Sequence, residues 1–341
     1  PAFDGSEVEL GDALENGNVQ KVKYSAIDNN RKDFFNTGVT IQNDVSYSTK
    51  GFYLSLQDAN VKGIVPDDKN RRTGVRLNAS QEYKNFKVSF NTNYVQSNYD
   101  VFDNNAMGDY YSSINVGLNG GLMNLIFSTP AQVPLTSYKD FENNQYASYN
   151  NYYNRYGINP YIALDTWRST GKDQNLVSGV DFKYTPFKWL DFNYRAAMTY
   201  QGLNEQTTSK RLVVTPFGAS RGIDNVPQSV EETSYISNRL SSDFYASFHH
   251  QLGDFKFNVI AGTYVREVSS KTTGVNATNL VIDGLFNVSG RPGELGGGST
   301  ISKSRMFSLY GNATLTYKFA SLEFSERNDK TSVLDPSNNS F

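Results

Sequence analysis

The side chains best suited to acid–base or metal chemistry are the two histidines, His249 and His250, which are adjacent in the sequence. They lie in an alternating segment, and neighbouring residues of a strand point to opposite faces of the sheet. The two imidazoles therefore cannot share one metal ion with ordinary strand geometry. The chain has no cysteine, and a catalytic base or nucleophile needs partner side chains that hold it. We predict no catalytic site, no metal site and no cofactor.

Two short segments are similar to ligand-binding motifs, but we predict that both are loops. The glycine-rich segment GELGGGSTISKS at 293–304 lacks the Gly-Lys-Ser/Thr ending of a phosphate-binding loop and leads into no helical pattern. Asp67 and Asp68 lie in IVPDDKNRR, where paired charges favour a solvated turn. Neither segment predicts chemistry.

Aromatic and amide side chains are concentrated in NNQYASYNNYYNRYGINPY at 143–161, and NPYIALDTWR continues to 168. Flat rings stack on sugar rings or on peptide side chains, and amides form hydrogen bonds with hydroxyls or backbone. The alternative is that the rings pack a long loop against itself. The candidate contact residues are Tyr146, Tyr149, Tyr152, Tyr153, Tyr156, Tyr161, Trp167 and Arg168.

The elements that must position these residues are hairpins, of which RLNASQEYKNFKVSFNTNY at 76–94 is the clearest. A two-residue turn at Lys84 and Asn85 would pair Tyr83 with Phe86. One face would be polar, with Glu82 opposite Lys87. Such strands cover a soluble core, or they face lipid on one side and a polar lumen on the other. The predicted lipid-facing residues are Val75, Leu77, Ala79, Phe86, Val88 and Phe90.

Four further hairpins follow the same pattern, with turns near 48–51, 185–189, 253–254 and 318–321. The five-residue connection at 185–189 would place Tyr184 opposite Leu190 and Lys183 opposite Asp191. The predicted connections between hairpins are long loops at 98–175, 201–242 and 268–305. Ten strands with short turns at one end and long loops at the other are typical of bacterial outer-membrane barrels.

Composition agrees with β structure, because aromatic residues make up 14% of 341 residues and hydrophobic residues only 38%. The 32 basic residues nearly balance 34 acidic residues, so no nucleic-acid partner is predicted. The sequence contains no apolar run of helical membrane-spanning length. The alternative to a barrel is a sandwich or propeller in a soluble or surface-attached protein that binds glycans or peptides without transporting them.

Four segments resemble SusC/RagA-like TonB-dependent transporters of the Bacteroidetes outer membrane, and they occur in the family's order. They are KDFFNTGVTIQNDVSYS at 32–48, NPYIALDTWR at 159–168, KYTPFKWLDFNYR at 183–195 and LEFSERNDKTSVLDPSNNSF at 322–341. The first is similar to the barrel strand that directly follows the family's plug domain. We therefore expect 1–35 to be a linker or the end of a plug, and 36–341 to be a partial barrel.

The resemblance implies an all-β fold, with about the first ten strands of an antiparallel barrel of about twenty-two strands in the lipid bilayer. It also implies a SusD-like surface lipoprotein that closes over the barrel as a lid. The TonB complex would drive import of an oligomeric glycan or peptide, acting through a plug that this chain does not show. The tyrosine-rich segment would then contact the imported ligand or the lid, and no enzymatic activity is expected.

Overall fold

The computed structural model describes residues 3–113 and 121–341, and its main element is a sheet of ten antiparallel strands in sequence order. A separate two-stranded sheet, β1 and β2, precedes it. The strands are β1 (Glu7–Leu10), β2 (Gln20–Lys23), β3 (Val39–Thr49), β4 (Phe52–Lys62), β5 (Lys69–Tyr83), β6 (Phe86–Phe102), β7 (Trp167–Phe187), β8 (Leu190–Ser209), β9 (Ser229–Leu252), β10 (Phe255–Thr278), β11 (Gly296–Tyr317) and β12 (Ala320–Thr331). The helices are α1 (Asn104–Ser113), α2 (Gly121–Phe127), α3 (Pro160–Thr166) and α4 (Pro216–Ser220).

The hairpin of β5 and β6 confirms the predicted register. Tyr83 lies opposite Phe86, and Glu82 lies opposite Lys87. Lys84 adopts a φ of 53°, the left-handed conformation that a two-residue hairpin turn requires. Because side chains alternate along a strand, this register places the six predicted lipid-facing residues on one face of the sheet. We call this the apolar face and the opposite side the polar face.

In the hairpin of β7 and β8, the pairing register differs from the predicted register by two residues. Tyr184 lies opposite Phe192 rather than Leu190, and the turn contains only Lys188 and Trp189. The register shifts between Tyr184 and Phe187, where Pro186 has no N–H for the strand ladder. Alternation still assigns each side chain to the predicted face, because a shift of two residues preserves the face. Lys183 keeps an ion pair with Asp191, with Nζ 3.2 Å from the carboxylate oxygen.

The strands are longer than the alternation pattern indicates. The predicted loops at 98–175, 201–242 and 268–305 shrink to connections at 103–166, 210–228 and 279–295. The strand ends are mostly polar on both faces, as in SSKTTG at 269–274 of β10. Polar residues on both faces give no alternation of apolar and polar positions, so the sequence pattern ends before the hydrogen-bonded ladder does.

All five short turns lie at one end of the sheet. The long connections at 103–166, 210–228 and 279–295 lie at the other end, which we call the loop end. Because β3 runs toward the first short turn, its beginning at Val39 lies at the loop end. The preceding segment, 3–38, therefore also lies at the loop end. It contains the hairpin of β1 and β2, and its Phe34 is buried.

The apolar face stays open to the surroundings, and in the described parts of the chain no second sheet covers it. Phe86 is 55% exposed and Val88 38% exposed, although both are large apolar side chains. The buried apolar clusters lie instead at the loop end. Among residues 3–113 and 121–341, no helix has the length and hydropathy needed to cross a membrane.

Candidate functional site

Three segments pack together at the loop end, and we call them the loop module: residues 3–38, the described part of 103–166, and 210–228. One apolar cluster joins Phe34 of the first segment to Leu122, Tyr138 and Tyr161 of the second. A second cluster joins Met107 and Trp167 to Val226 of the third segment. The module is therefore a folded body with its own core, rather than a set of independent loops.

Asn159 holds the centre of the module together. Its side-chain amide donates hydrogen bonds to the carbonyls of Tyr138 and Ala147, each at 2.8 Å. Its side-chain oxygen accepts the N–H of Tyr161 at 3.0 Å and caps α3, which has Pro160 in its first turn. An N-cap amide followed by proline is a strong helix start. The local sequence NPY thus begins the helix that carries the chain to Trp167.

Arg221 ties the three segments of the module to one another. Its guanidinium donates to the carbonyls of Asn150 at 2.7 Å and Tyr152 at 3.0 Å. Its Nε lies 3.4 Å from a carboxylate oxygen of Asp12 in the first segment. The side chain is 6% exposed. A buried guanidinium that bridges backbone carbonyls fixes their spacing because its donors have a rigid geometry.

Most of the predicted contact residues are packed inside this module. Tyr152 is 4% exposed, Trp167 is 1% exposed and Tyr161 is also buried. Tyr146 and Tyr153 pack against the first apolar cluster. Tyr149 donates to the carbonyl of Asp224 at 2.5 Å. The alternative of a loop packed against itself describes these rings, whereas Tyr156 is 67% exposed.

Burial sets the acidity of the tyrosines in the module. Burial raises the pKa of Tyr138, Tyr149 and Tyr152 above the usual value. Burial also raises the pKa of Tyr161 to about 12. A phenolate loses its hydration inside an apolar cluster, so these hydroxyls remain protonated at neutral pH.

Arg168 lies on the face opposite Trp167, although the two residues are adjacent. It donates to a carboxylate oxygen of Asp100 at 2.7 Å and to one of Asp68 at 3.2 Å. Asp68 also accepts the N–H of Phe102 at 2.7 Å, and burial raises its pKa despite the nearby guanidinium. The prediction of a solvated turn is wrong for Asp68, which is part of a partly buried ion-pair network. The network borders an open cavity of about 670 Å³.

The two histidines lie on opposite faces, as the alternation predicts. His250 lies beside Phe248 on the apolar face, with ring centroids 6.2 Å apart. His249 faces the other side, where its Nδ1 is 3.9 Å from a carboxylate oxygen of Asp191. Within residues 3–113 and 121–341, no group of acidic, histidine or cysteine side chains has an arrangement that could hold a metal ion.

The fold is similar to that of solved structures. No protein-family model and no curated protein matches the chain. The structure of the RagAB peptide transporter matches with a TM-score of 0.71 and 18% identity, over 94% of this chain and 35% of that one. The RagAB peptide importer in its open-open state matches with a TM-score of 0.70 and 17% identity, over 92% and 34% of the two chains. The chain has a SusC/RagA-like fold.

This likeness confirms the predicted fold class and the predicted resemblance at the level of fold. The SusC/RagA-like sheet is not closed here, because β3 and β12 are its two unjoined edges. The chain spans about a third of the length of the RagAB transporter chain that it matches. The apolar and polar faces of the sheet are thus two sides of one incomplete wall.

The polar face of this wall carries functional candidates that the sequence pattern did not identify. Arginines and tyrosines of β8 to β12 lie on it, including Arg239 and Arg266. Arg239 falls in the range 201–242 that the sequence pattern predicts to be a loop, so the pattern assigns it to neither face. Extending the alternation of β9 by two residues beyond Ser241 would have placed it on the polar face.

Proposed function

We propose that the chain is part of the barrel wall of an outer-membrane active importer of oligomeric nutrients. The observation that supports this proposal most is the sheet, because one of its faces is apolar and exposed. The same sheet is similar to that of the RagAB peptide transporter. A soluble binding protein would cover its apolar face with a second sheet. An outer-membrane wall leaves that face to lipid.

In this function the apolar face, including Val75, Leu77, Ala79, Phe86, Val88 and Phe90, contacts lipid. The short turns lie in the periplasm and the loop module lies outside the cell, as in other barrels with unequal connections. This orientation assigns 3–38 to the extracellular side. In this proposal segment 3–38 is a part of the outer surface rather than the end of a plug.

The cargo and the partners follow from the same likeness. RagAB is a peptide transporter, and we therefore favour a peptide over a glycan as the imported oligomer. A SusD-like lipoprotein would close over the loop module, and the TonB complex would supply energy through a plug elsewhere in the protein. Of the predicted contact residues, Tyr156 has the free surface that contact with the ligand or with this lid needs.

The test places epitope tags in the full-length protein. A tag beside Tyr156 should be stained by antibody on intact cells, and a tag between Gly253 and Asp254 only after the outer membrane is ruptured. Uptake of labelled peptides by the same cells should stop when the proton gradient is dissipated. Staining of the Gly253 tag on intact cells would reverse the orientation, and uptake that survives without the gradient would exclude active import.

A further inference from the structure

The polar face of β7 to β12 carries a group of charged and aromatic side chains that we call the arginine cluster. Arg195 of β8 lies opposite Asp243 of β9, which lies opposite Tyr264 of β10. Tyr310 of β11 lies opposite Arg327 of β12. Because these strands are neighbours, their side chains form one patch on one face. The cluster comprises Arg195, Arg239, Arg266, Arg327, Tyr245, Tyr264, Tyr310, Asp181, Asp243 and Asp329.

The rings of the cluster are held in fixed places. The guanidinium carbon of Arg195 lies 5.4 Å from the centroid of Tyr245, and that of Arg327 lies 5.5 Å from the centroid of Tyr264. The Tyr310 hydroxyl donates to a carboxylate oxygen of Asp243 at 2.7 Å. Arginine over an aromatic face is a favourable contact that orders both side chains.

Gly262 lets two of these rings lie close to the sheet. A Cβ at this position would come within 2.6 Å of the Tyr310 ring and 2.7 Å of the Tyr245 side chain. Such distances are shorter than carbon atoms tolerate without a shift of the neighbours. The backbone therefore leaves space for the rings, and the cluster is a built feature of the wall.

The charges of the cluster are only partly paired. Arg195 pairs with Asp181 at 3.0 Å, and Arg327 pairs with Asp329 at 2.8 Å. Arg239 and Arg266 form no ion pair with any residue in the described ranges 3–113 and 121–341. Among the described residues, the Arg266 side chain donates a hydrogen bond to the sulfur of Met306 at 4.0 Å. Free guanidinium donors match carboxylates in geometry and charge.

The opposite part of the wall has a different surface. The polar face of β5 from Arg76 to Glu82 and of β6 from Lys87 to Val95 carries serines, asparagines and single charges, without any aromatic ring. Both parts face the same side of the same sheet. The combination of several rings with Arg239 and Arg266 thus distinguishes β8 to β12 from this part of β5 and β6.

We propose that the arginine cluster binds carboxylate groups of an anionic oligomer inside the barrel. The inference rests on the proposed function, because the polar face must line the lumen of an importer. Arg239 and Arg266 would hold the carboxylates, and the tyrosine rings would contact the apolar parts of the same molecule. An acidic peptide and a uronic-acid oligosaccharide both carry this chemistry.

The test measures binding to purified full-length protein in detergent. The probes are a glutamate-rich peptide, the same peptide with glutamine in place of glutamate, and an oligogalacturonate. The double variant Arg239→Gln, Arg266→Gln should weaken binding of an anionic probe at least tenfold, since charge-assisted hydrogen bonds are the strong ones. Raising the salt concentration should weaken binding to the parent protein. The glutamine peptide should bind the parent and the variant equally.

Arg76→Gln is the matched control, because Arg76 lies on the polar face of β5 outside the cluster. It should change binding less than twofold. The double lysine variant at 239 and 266 keeps the charge and should retain part of the affinity, which separates binding from misfolding. Three results would overturn the inference. They are equal affinity of the parent and the double glutamine variant, an equal loss of affinity in the Arg76→Gln variant, and no binding of either anionic probe to the parent.

Uptake in cells separates this inference from the proposed function. Charge-selective binding without uptake of any oligomer would refute import and leave the cluster as a binding site. The double glutamine variant could instead take up anionic and neutral peptides at the parental rate, with energy dependence. That result would refute carboxylate binding by the arginine cluster and support active import.

Discussion

Arg221 is the residue on which the loop module depends most directly. It is the common hydrogen-bond partner of the Asn150 and Tyr152 carbonyls. Replacing it with methionine leaves both carbonyls without this partner, at a cost of about 1–3 kcal/mol for a buried group. We expect Arg221→Met to make the connection at 103–166 cleavable by protease in the full-length protein. Arg155→Met is the control, since within 3–113 and 121–341 the Arg155 side chain donates a hydrogen bond to no group but the exposed Tyr156 hydroxyl. Equal cleavage of both variants would contradict this role.

Val88 tests the assignment of the two faces at the scale of one side chain. It lies opposite Phe182 on the apolar face. Val88→Arg should destabilise the folded barrel by about 2–4 kcal/mol if this position lies near the middle of the bilayer. The measurement is urea unfolding of the full-length protein in lipid vesicles. Ser89→Arg places the same charge on the polar face and should cost much less, so an equal loss in both variants would reverse the faces.

The loop module is the element whose stability should depend on pH. Its folded state raises the pKa of Tyr138, Tyr149 and Tyr152, whereas an opened loop gives tyrosine its ordinary pKa of about 10. A raised pKa in the folded state stabilises the module fully below pH about 10. That stabilisation is lost as the pH rises toward the folded value, by about 1.4 kcal/mol per pH unit for each tyrosine.

We therefore expect the module to open in alkaline solution while the sheet stays folded. Tyrosinate absorbance and protease cleavage within 103–166 should rise together above pH about 10. Tyr156→Phe should leave this midpoint unchanged because its side chain is exposed. Tyrosinate formation without cleavage would show that the buried rings ionise inside a closed module, contrary to the expectation.

The whole sheet is an open wall, since β3 and β12 each have one edge without a strand partner among the described residues. A backbone group that lacks a hydrogen bond in lipid costs several kcal/mol. We expect the 341-residue chain, expressed alone in detergent, to show no heat-modifiable barrel band in gel electrophoresis. The full-length protein should show one. A heat-modifiable monomer of the isolated chain would mean that the edges close on each other.

Alternation alone predicted the five hairpins, the separation of faces and the turn at Lys84, because each depends on residues that are near in sequence. It also placed His249 and His250 on opposite faces. It missed the register of β7 and β8 by two residues. The fold class and the resemblance could be predicted from the same local patterns. Strand ends could not, since segments that are polar on both faces have no period to detect.

The tertiary structure decided which candidate side chains are accessible. Trp167 and Tyr152 looked like ligand contacts because aromatic rings serve packing and binding equally well. Only the packing of three distant segments, tied by Arg221, buries them. The arginine cluster likewise joins residues of six strands, from 181 to 329. Its members become neighbours through strand pairing, and pairing across such distances is set by the whole sheet rather than by any local stretch of sequence.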